Sequence, residues 1–193
     1  MEQQSITTLA STWVRSEAKG LLQLPTELFC QTRDVFQARL DKMANYFLQN
    51  QLLANDDIYL ITALAGEIGN NSFDHNLGSW PDIAGVFFGY DMIAHHKQLV
   101  LADRGQGILS TLKKVKPLLL DDLQALETAF KEKISGRAPE NRGNGLKFVR
   151  HTVAAKKIHL TFSSGFAQAN LNQAMIIKKI DQKIQGCLAI LEF

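Results

Sequence analysis

Apolar residues follow a helical period in the first half of this chain and alternate with polar residues in its last third. The helical spacing predicts one long amphipathic helix over residues 25–53. It predicts a second helix over residues 56–77, which Asn55 or Asp56 can cap at its start and Gly78 can end. Both helices have an apolar face that needs a packing partner.

The rest of the chain predicts strands and further helices. The predicted strands cover residues 84–90, 98–102, 157–163, 168–180 and 184–193. The predicted helices cover residues 108–135, with a break at Pro117, and residues 146–155. This order predicts an α+β fold: a two-layer α/β sandwich in which helices cover one face of a mixed, mostly antiparallel sheet.

Length and composition narrow the class of protein. With 193 residues, of which 46% are hydrophobic, the chain can form one ordinary core. We expect the main domain over residues 55–193, with residues 1–54 as an N-terminal arm and helix packed on it or continuous with it. No apolar run reaches the roughly 18 residues of a membrane span, and the N-terminus lacks the pattern of a secretion signal. Cys30 and Cys187 have no metal-ligand spacing, so we interpret both as free thiols and expect a cytoplasmic location.

Positive charge is concentrated in one segment. Residues 104–157 contain twelve Lys and Arg against five Asp and Glu, a balance of +7, whereas the whole chain has a net charge of +2. Such a segment is typical of a site for a phosphate-rich ligand or of a solvated helical face, and charge alone leaves both open. Lys113, Lys114 and Lys116 cluster without interleaved aromatic residues, so direct binding of nucleic acid is not expected.

A polar stripe on the second predicted helix is the first candidate for chemistry. Glu67 and Asn71 are four residues apart and share one helix face, and Asp74 extends that line. The rest of this helix is strongly apolar, so stranding one of these groups in the core would cost roughly 1–3 kcal/mol. A metal ion with its phosphates would be a suitable partner. A helix edge exposed to water is the alternative.

The second candidate follows a predicted strand. Asp103 ends the apolar run and precedes a Gly-x-Gly sequence formed by Gly105 and Gly107. Glycines let the backbone turn tightly and approach a ligand closely, and a carboxylate beside them can accept a hydrogen bond from an exocyclic amine. The alternative is a strand-to-helix turn capped by Asp103. A Rossmann loop is not favoured, because Ser110 occupies the position of the third glycine.

A basic glycine loop opens the helix predicted over residues 146–155. Its residues are Asn141, Arg142, Gly143, Asn144, Gly145 and Leu146. Backbone amides and the positive end of a helix dipole form a natural cradle for phosphate at such a position. An ordinary loop with two incidental glycines is the alternative.

The order of the three motifs resembles the N, G1 and G2 boxes of the histidine-kinase-like (GHKL, or Bergerat-fold) ATPase superfamily. The match covers about residues 55–193: Glu-x-x-x-Asn on a helix, Asp-x-Gly-x-Gly after a strand, and Gly-x-Gly-Leu at a helix start. The stretch from Asn71 to His75 is similar to the Asn-Ala-x-x-His pattern of the anti-sigma serine kinases, although Ser72 replaces the usual alanine. The phenylalanine-rich lid box of many sensor kinases is missing.

The resemblance implies a stand-alone site for ATP and Mg²⁺. Glu67 would orient or deprotonate a water or hydroxyl, Asn71 would coordinate Mg²⁺, and Asp103 would bind the adenine amino group. Residues 108–141 would form an ATP lid. The other residues implied to bind the cofactor are Asp74, His75, Gly105, Gly107, Ile108, Arg142, Gly143, Asn144, Gly145 and Leu146.

Two functions are compatible with this resemblance. The first is an Mg-ATP-binding regulatory protein that hydrolyses ATP or transfers its γ-phosphate to a protein partner. The second is an ATP-gated binding module, anti-sigma-like or antitoxin-like, with little or no turnover. A nucleotide-free scaffold is disfavoured, because all three boxes keep their polar residues. None of the five histidines is followed by Asp or Glu, so we do not expect the phosphoacceptor of a sensor kinase.

A regulatory protein partner is expected for either function. The helix predicted over residues 25–53 would offer a face for that partner or for a homodimer, or it would pack on its own sheet.

Overall fold

The computed structural model describes residues 5–16, 24–93, 96–132 and 145–193, which confirm the predicted α+β class. The α-helices are α1 (Ile6–Arg15), α2 (Arg33–Gln49), α3 (Asn55–Asn76), α4 (Gly107–Lys113), α5 (Asp122–Lys131) and α6 (Gly145–Ala155). The strands are β1 (Phe29–Cys30), β2 (Val86–Ile93), β3 (His96–Asp103), β4 (His159–Leu171) and β5 (Met175–Glu192). A 3₁₀ turn, Thr26–Leu28, precedes β1.

The strands form one sheet in the order β1-β2-β3-β5-β4. Every described pair is antiparallel, so the sheet predicted as mixed is antiparallel throughout the described residues. At the end of β3, Asp103 pairs with Val86 on one side and with Cys187 on the other, and Cys187 pairs with Ser164. This row brings segments that are far apart in the chain to one end of the sheet.

The main core lies between one face of the sheet and helices α2, α3, α5 and α6. Side chains alternate between the two faces of a strand, so Phe88 and Leu101 point into this layer. Phe88 meets Phe36 of α2 with ring centroids 5.5 Å apart, and Phe130 of α5 meets Phe162 of β4 at 5.4 Å. The predicted two-layer sandwich with helices on one face is confirmed.

Helix α1 covers part of the opposite face. Its buried Trp13 packs in a second apolar cluster with Phe87, Val100 and Leu188, which alternate along the strands with residues of the main core. Helix α1 therefore shields a face of the sheet that would otherwise be open.

The helix predicted over residues 25–53 is shorter in the structure. Helix α2 begins at Arg33, because the hydroxyl of Thr32 accepts a hydrogen bond from the N–H of Val35 at 3.3 Å. The residues before this cap belong to the 3₁₀ turn and to β1, which pairs with β2 at the sheet edge. The apolar face of α2 packs into the main core of its own domain.

The three strands predicted after residue 157 are two long strands in the structure. Strands β4 and β5 form one hairpin, and its turn at Asn172–Ala174 falls inside the predicted strand over residues 168–180. The ladder is irregular at Gly165, where the buried positions of β4 change from even to odd numbers. A β-bulge shifts side chains in this way. In the sequence this shift interrupts the alternation of apolar and polar residues, and the interruption predicts a break between two strands.

The other predicted elements are close to those observed. The helix over residues 56–77 is α3, and the hairpin of residues 84–102 is β2 and β3. The interrupted helix over residues 108–135 is α4 and α5, and Asp121 caps α5 by accepting the N–H of Gln124 at 2.9 Å. None of the described helices combines the length and apolar character that crossing a bilayer requires.

Candidate functional site

Asp103 is the centre of the candidate site. It is the last residue of β3, and only 2% of its surface is exposed to solvent. The hydroxyl of Ser72 donates to Oδ2 at 2.7 Å, and the N–H of Gly105 donates to Oδ1 at 2.7 Å. The backbone N–H of Cys187 is a third donor. Burial raises the pKa of Asp103 to about 6, although hydrogen bonds from these three residues lower it.

The carboxylate of Asp103 has the capacity to accept from one more donor. An ionised carboxylate offers about four lone-pair positions. Among the described residues, Ser72, Gly105 and Cys187 occupy three of them. A primary amine on a planar heterocycle could use the fourth, which is the chemistry that the sequence predicted for this residue.

Asn76 fixes the loop that follows Asp103. Its carboxamide Nδ2 donates to the carbonyl of Ser72 at 2.8 Å, and its Oδ1 accepts the N–H of Gln106 at 2.8 Å. The side chain of Gln106 donates in turn to the carbonyl of His75 at 2.9 Å. A Cβ at Gly105 would lie 2.1 Å from Nδ2 of Asn76, so only glycine fits there. The end of α3 and the glycine loop are therefore one packed unit.

The opposite wall of this loop comes from β4 and β5. Gly107 begins α4 with a φ of +77°, and the next N–H, that of Ile108, donates to Oγ of Ser164 at 3.0 Å. Ser164 donates to the carbonyl of Gly186 at 2.8 Å. Gly186 has a φ of +74°, and a Cβ there would lie 2.2 Å from the carbonyl oxygen of Asp103. A bulge in β5 thus presses directly against the turn after β3.

The start of α6 lies against the polar stripe of α3. A Cβ at Gly145 would lie 2.6 Å from Oε2 of Glu67 and 3.4 Å from Nδ2 of Asn71. Glu67 is exposed, and Asn71 is partly buried. The next residue, Leu146, packs against the main core and anchors this end of α6. The first sequence motif therefore meets the described end of the third, Gly145 and Leu146, where the eleven-residue helix α6 begins.

Of the remaining predicted residues, two lie in the described part of the chain and three lie outside it. Asp74 forms an ion pair with Arg33 of α2, and His75 contributes its carbonyl to the loop. Arg142, Gly143 and Asn144 lie outside the described residues, as does the part of the predicted lid beyond residue 132. The described part of that lid consists of α4 and α5, which pack on β4 and β5.

Several residues that shape the site were missed by the sequence analysis. They are Asn76, Arg104, Ser164, Gln185 and Gly186. Asn76 had a usable signal, because it lies four positions after Ser72 on a helix. Ser164 and Gly186 had none, because only the register of the sheet brings them to Asp103.

The site offers few oxygens to a metal ion, and these fit an ion whose other ligands are waters or phosphates. The part of the chain that the structure describes holds no group of three or more His, Cys, Asp or Glu able to enclose a metal ion. Mg²⁺ in nucleotide sites commonly takes one or two protein oxygens, with waters and phosphates completing its shell. The oxygens of Asn71 and Glu67, close to the start of α6, fit that requirement.

Comparison of the chain with family models, curated proteins and solved structures found no match.

Proposed function

We propose that the chain is an Mg-ATP-binding regulatory protein of the histidine-kinase-like ATPase type. In this proposal it hydrolyses ATP or transfers the γ-phosphate to a protein partner. One observation carries the proposal: described residues of three motifs that are separated in the sequence lie around the C-terminal half of α3, the third motif being represented by Gly145. Ser72 holds Asp103 on one side of the helix, while Glu67 and Asn71 lie beside Gly145 on another.

Asp103 supports the adenine end of the proposed site. Its remaining lone-pair position selects a donor, so the 6-amino group of adenine is accepted while the 6-oxo group of guanine is repelled. At neutral pH the carboxylate is mostly ionised, because its pKa is about 6. We therefore expect ATP and ADP to bind and GTP to bind far more weakly.

The junction of α3 and α6 supports the phosphate end. Amide groups at the start of a helix of this length attract anions. Bound Mg²⁺ would supply the charge that neutralises the triphosphate, and the carboxamide of Asn71 would hold it. Glu67 is exposed and close to the same helix start, so it can orient a water or a partner hydroxyl for attack.

A gated binding module is the second candidate, and one observation favours it. The loop that holds Asp103 continues into α4 without a linker, and the N–H of Ile108 is tied to Ser164. A nucleotide on this loop would therefore act on the position of α4 and α5, which form the described part of the predicted lid. Such a device needs no turnover.

Calorimetric titration with ATP, ADP and GTP, each with and without Mg²⁺, tests the binding proposal. We expect adenine nucleotides to bind and Mg²⁺ to strengthen binding of the triphosphate. The absence of measurable heat with millimolar Mg-ATP, confirmed by an unchanged melting temperature, would refute nucleotide binding.

Turnover then separates the two candidates. Glu67→Ala should keep ATP affinity and remove hydrolysis or phosphate transfer, whereas Glu127→Ala, an exposed change on α5, should change neither. If the unaltered protein binds Mg-ATP but releases no phosphate, with or without its partner, the gated module is the correct assignment.

A further inference from the structure

Arg104 connects the turn after β3 to helix α1. It directly follows Asp103, and its side chain points to the opposite face of the sheet, as alternation along a strand requires. The residue is only 2% exposed. Its Nε and Nη2 donate to Oδ2 of Asp82 at 3.0 and 2.6 Å. Its Nη1 donates to the carbonyl of Trp13 and, at 2.9 Å, to the carbonyl of Ser16.

These contacts occupy the last carbonyls of α1. A helix leaves its final carbonyls without partners inside the helix, and Arg104 supplies donors for two of them. The apolar side of α1 is buried at the same time, with Trp13 and Val14 packed against the sheet. Docking of α1 and the position of Arg104 therefore depend on each other.

The same turn also faces the candidate nucleotide site. Gly105, the residue after Arg104, donates to Asp103, and its carbonyl accepts from the side chain of Gln185 at 3.0 Å. Gly186 leaves no space for the turn to shift toward β5. A shift of the Arg104 backbone would therefore be passed on to its neighbours Asp103 and Gly105, which Gly186 and Gln185 hold from the side of β5.

We infer that α1 regulates nucleotide affinity through Arg104, which acts as a positioning residue for the turn that holds Asp103. Regulation of nucleotide affinity by α1 rests on the proposed function. The structural coupling between α1 and the turn at Asp103 does not require a nucleotide. Coupling between two sites is reciprocal. Docked α1 favours the turn that binds adenine, and bound adenine holds α1 in place. A partner that detached α1 would therefore release the nucleotide.

Tryptophan fluorescence can follow this coupling from the α1 side. The chain has two tryptophans, so Trp80→Phe leaves Trp13 as the only reporter. In that background we expect Mg-ATP to reduce quenching of Trp13 by acrylamide. Arg104→Lys keeps a positive charge near Asp82 but loses the planar fork, so it should bind Mg-ATP more weakly, on the order of tenfold. It should also abolish the effect of ATP on Trp13. Arg15→Gln, an exposed change on the same helix, is the control.

Hydrogen exchange tests the link without nucleotide. Trp13→Ala loosens α1, and we expect faster exchange at the amides of Gly105 and Gln106. Phe47→Ala removes a fully buried aromatic ring from the main core on the other face, and it should not accelerate these two amides selectively. Exchange that is equally fast in the two variants, relative to their global stability, would overturn the coupling.

The two measurements distinguish the possible failures. If the unaltered protein does not bind Mg-ATP, the proposed function fails, and the exchange result alone decides the coupling. If it binds, and Arg104→Lys has unaltered affinity and an unaltered Trp13 response, then α1 does not regulate the site.

Discussion

Replacing Asp103 with asparagine separates the proposed contribution of this carboxylate to nucleotide binding from its cost to the fold. Burial raises the pKa of Asp103 from 3.8 to about 6, a difference of about two units. At 1.36 kcal/mol for each unit, the buried charge costs the folded protein about 3 kcal/mol at neutral pH. The asparagine carboxamide has nearly the same shape. It can accept from Gly105, while the hydroxyl of Ser72 can rotate to accept from its NH₂ group.

The sign of the pH effect follows from this raised pKa. Between about pH 4 and pH 6 the folded protein binds more protons at Asp103 than the unfolded chain does. The contribution of Asp103 to the free energy of unfolding therefore falls as the pH rises through this window, and the full cost is reached about one pH unit above the folded pKa of about 6. Asp103→Asn lacks this cost. The free energy of unfolding of Asp103→Asn, relative to that of the unaltered protein, should therefore be about 2.5 kcal/mol higher at pH 7.5 than at pH 4.

Affinity for ATP should change in the opposite direction. The carboxamide presents only one acceptor oxygen, and the proposed contact with the adenine amino group is lost or mispaired. We expect a loss of roughly 1–3 kcal/mol, or about 5- to 150-fold in the dissociation constant. Urea unfolding at several pH values and calorimetry with Mg-ATP measure the two effects, with Asp181→Asn as an exposed control. Equal ATP affinity would refute the adenine assignment, and an unchanged stability difference across the pH range would refute the burial argument.

Three further changes test other parts of the site. Asn71→Ala should abolish the Mg²⁺-dependent part of ATP binding in calorimetry, while Asn70→Ala, on a different face of α3, should leave it intact; equal losses would exclude a specific metal contact. Gly186→Ala should lower the free energy of unfolding by more than about 2 kcal/mol, whereas Gly78→Ala, which has a similar φ but open space around it, should cost about 1 kcal/mol by urea unfolding. Ser72→Ala removes a hydrogen bond that lowers the pKa of the buried carboxylate, so the pH below which ATP affinity declines should rise, and a profile that does not move would contradict this role.

Sequence patterns predicted those parts of the fold whose signals are local. Helix α3 could be predicted because its apolar residues repeat at helical spacing and Gly78 follows its end with a φ of +70°. For α2 the pattern predicts a start that is too early, because Leu28 and Phe29 continue the helical period although they lie in the 3₁₀ turn and in β1. The conformation of β1 is decided by its pairing with β2, in which Val86 and Phe87 lie 56 and 58 residues after their partners Cys30 and Phe29.

The candidate site shows the same division between local and distant determinants. Glu67, Asn71 and Asp103 were found because each carries a recognisable spacing within a few residues. Ser164 and Gly186 were not, because their contacts depend on the bulges and register of β4 and β5. A one-residue change in that register would turn these groups away from the turn. No pattern within either strand specifies the partner strand's register.

The environment of Asp103 explains why a serine is tolerated where the resemblance pattern has alanine. An alanine at residue 72 would leave the buried carboxylate with the two backbone donors of Gly105 and Cys187. The hydroxyl of Ser72 adds a third at 2.7 Å, and it lowers the pKa of a group that burial raises. The hydroxyl therefore favours the ionised form of the carboxylate, which the proposed acceptance of an adenine amino group requires. The residue that departs from the pattern thus contributes to the chemistry that the pattern predicts.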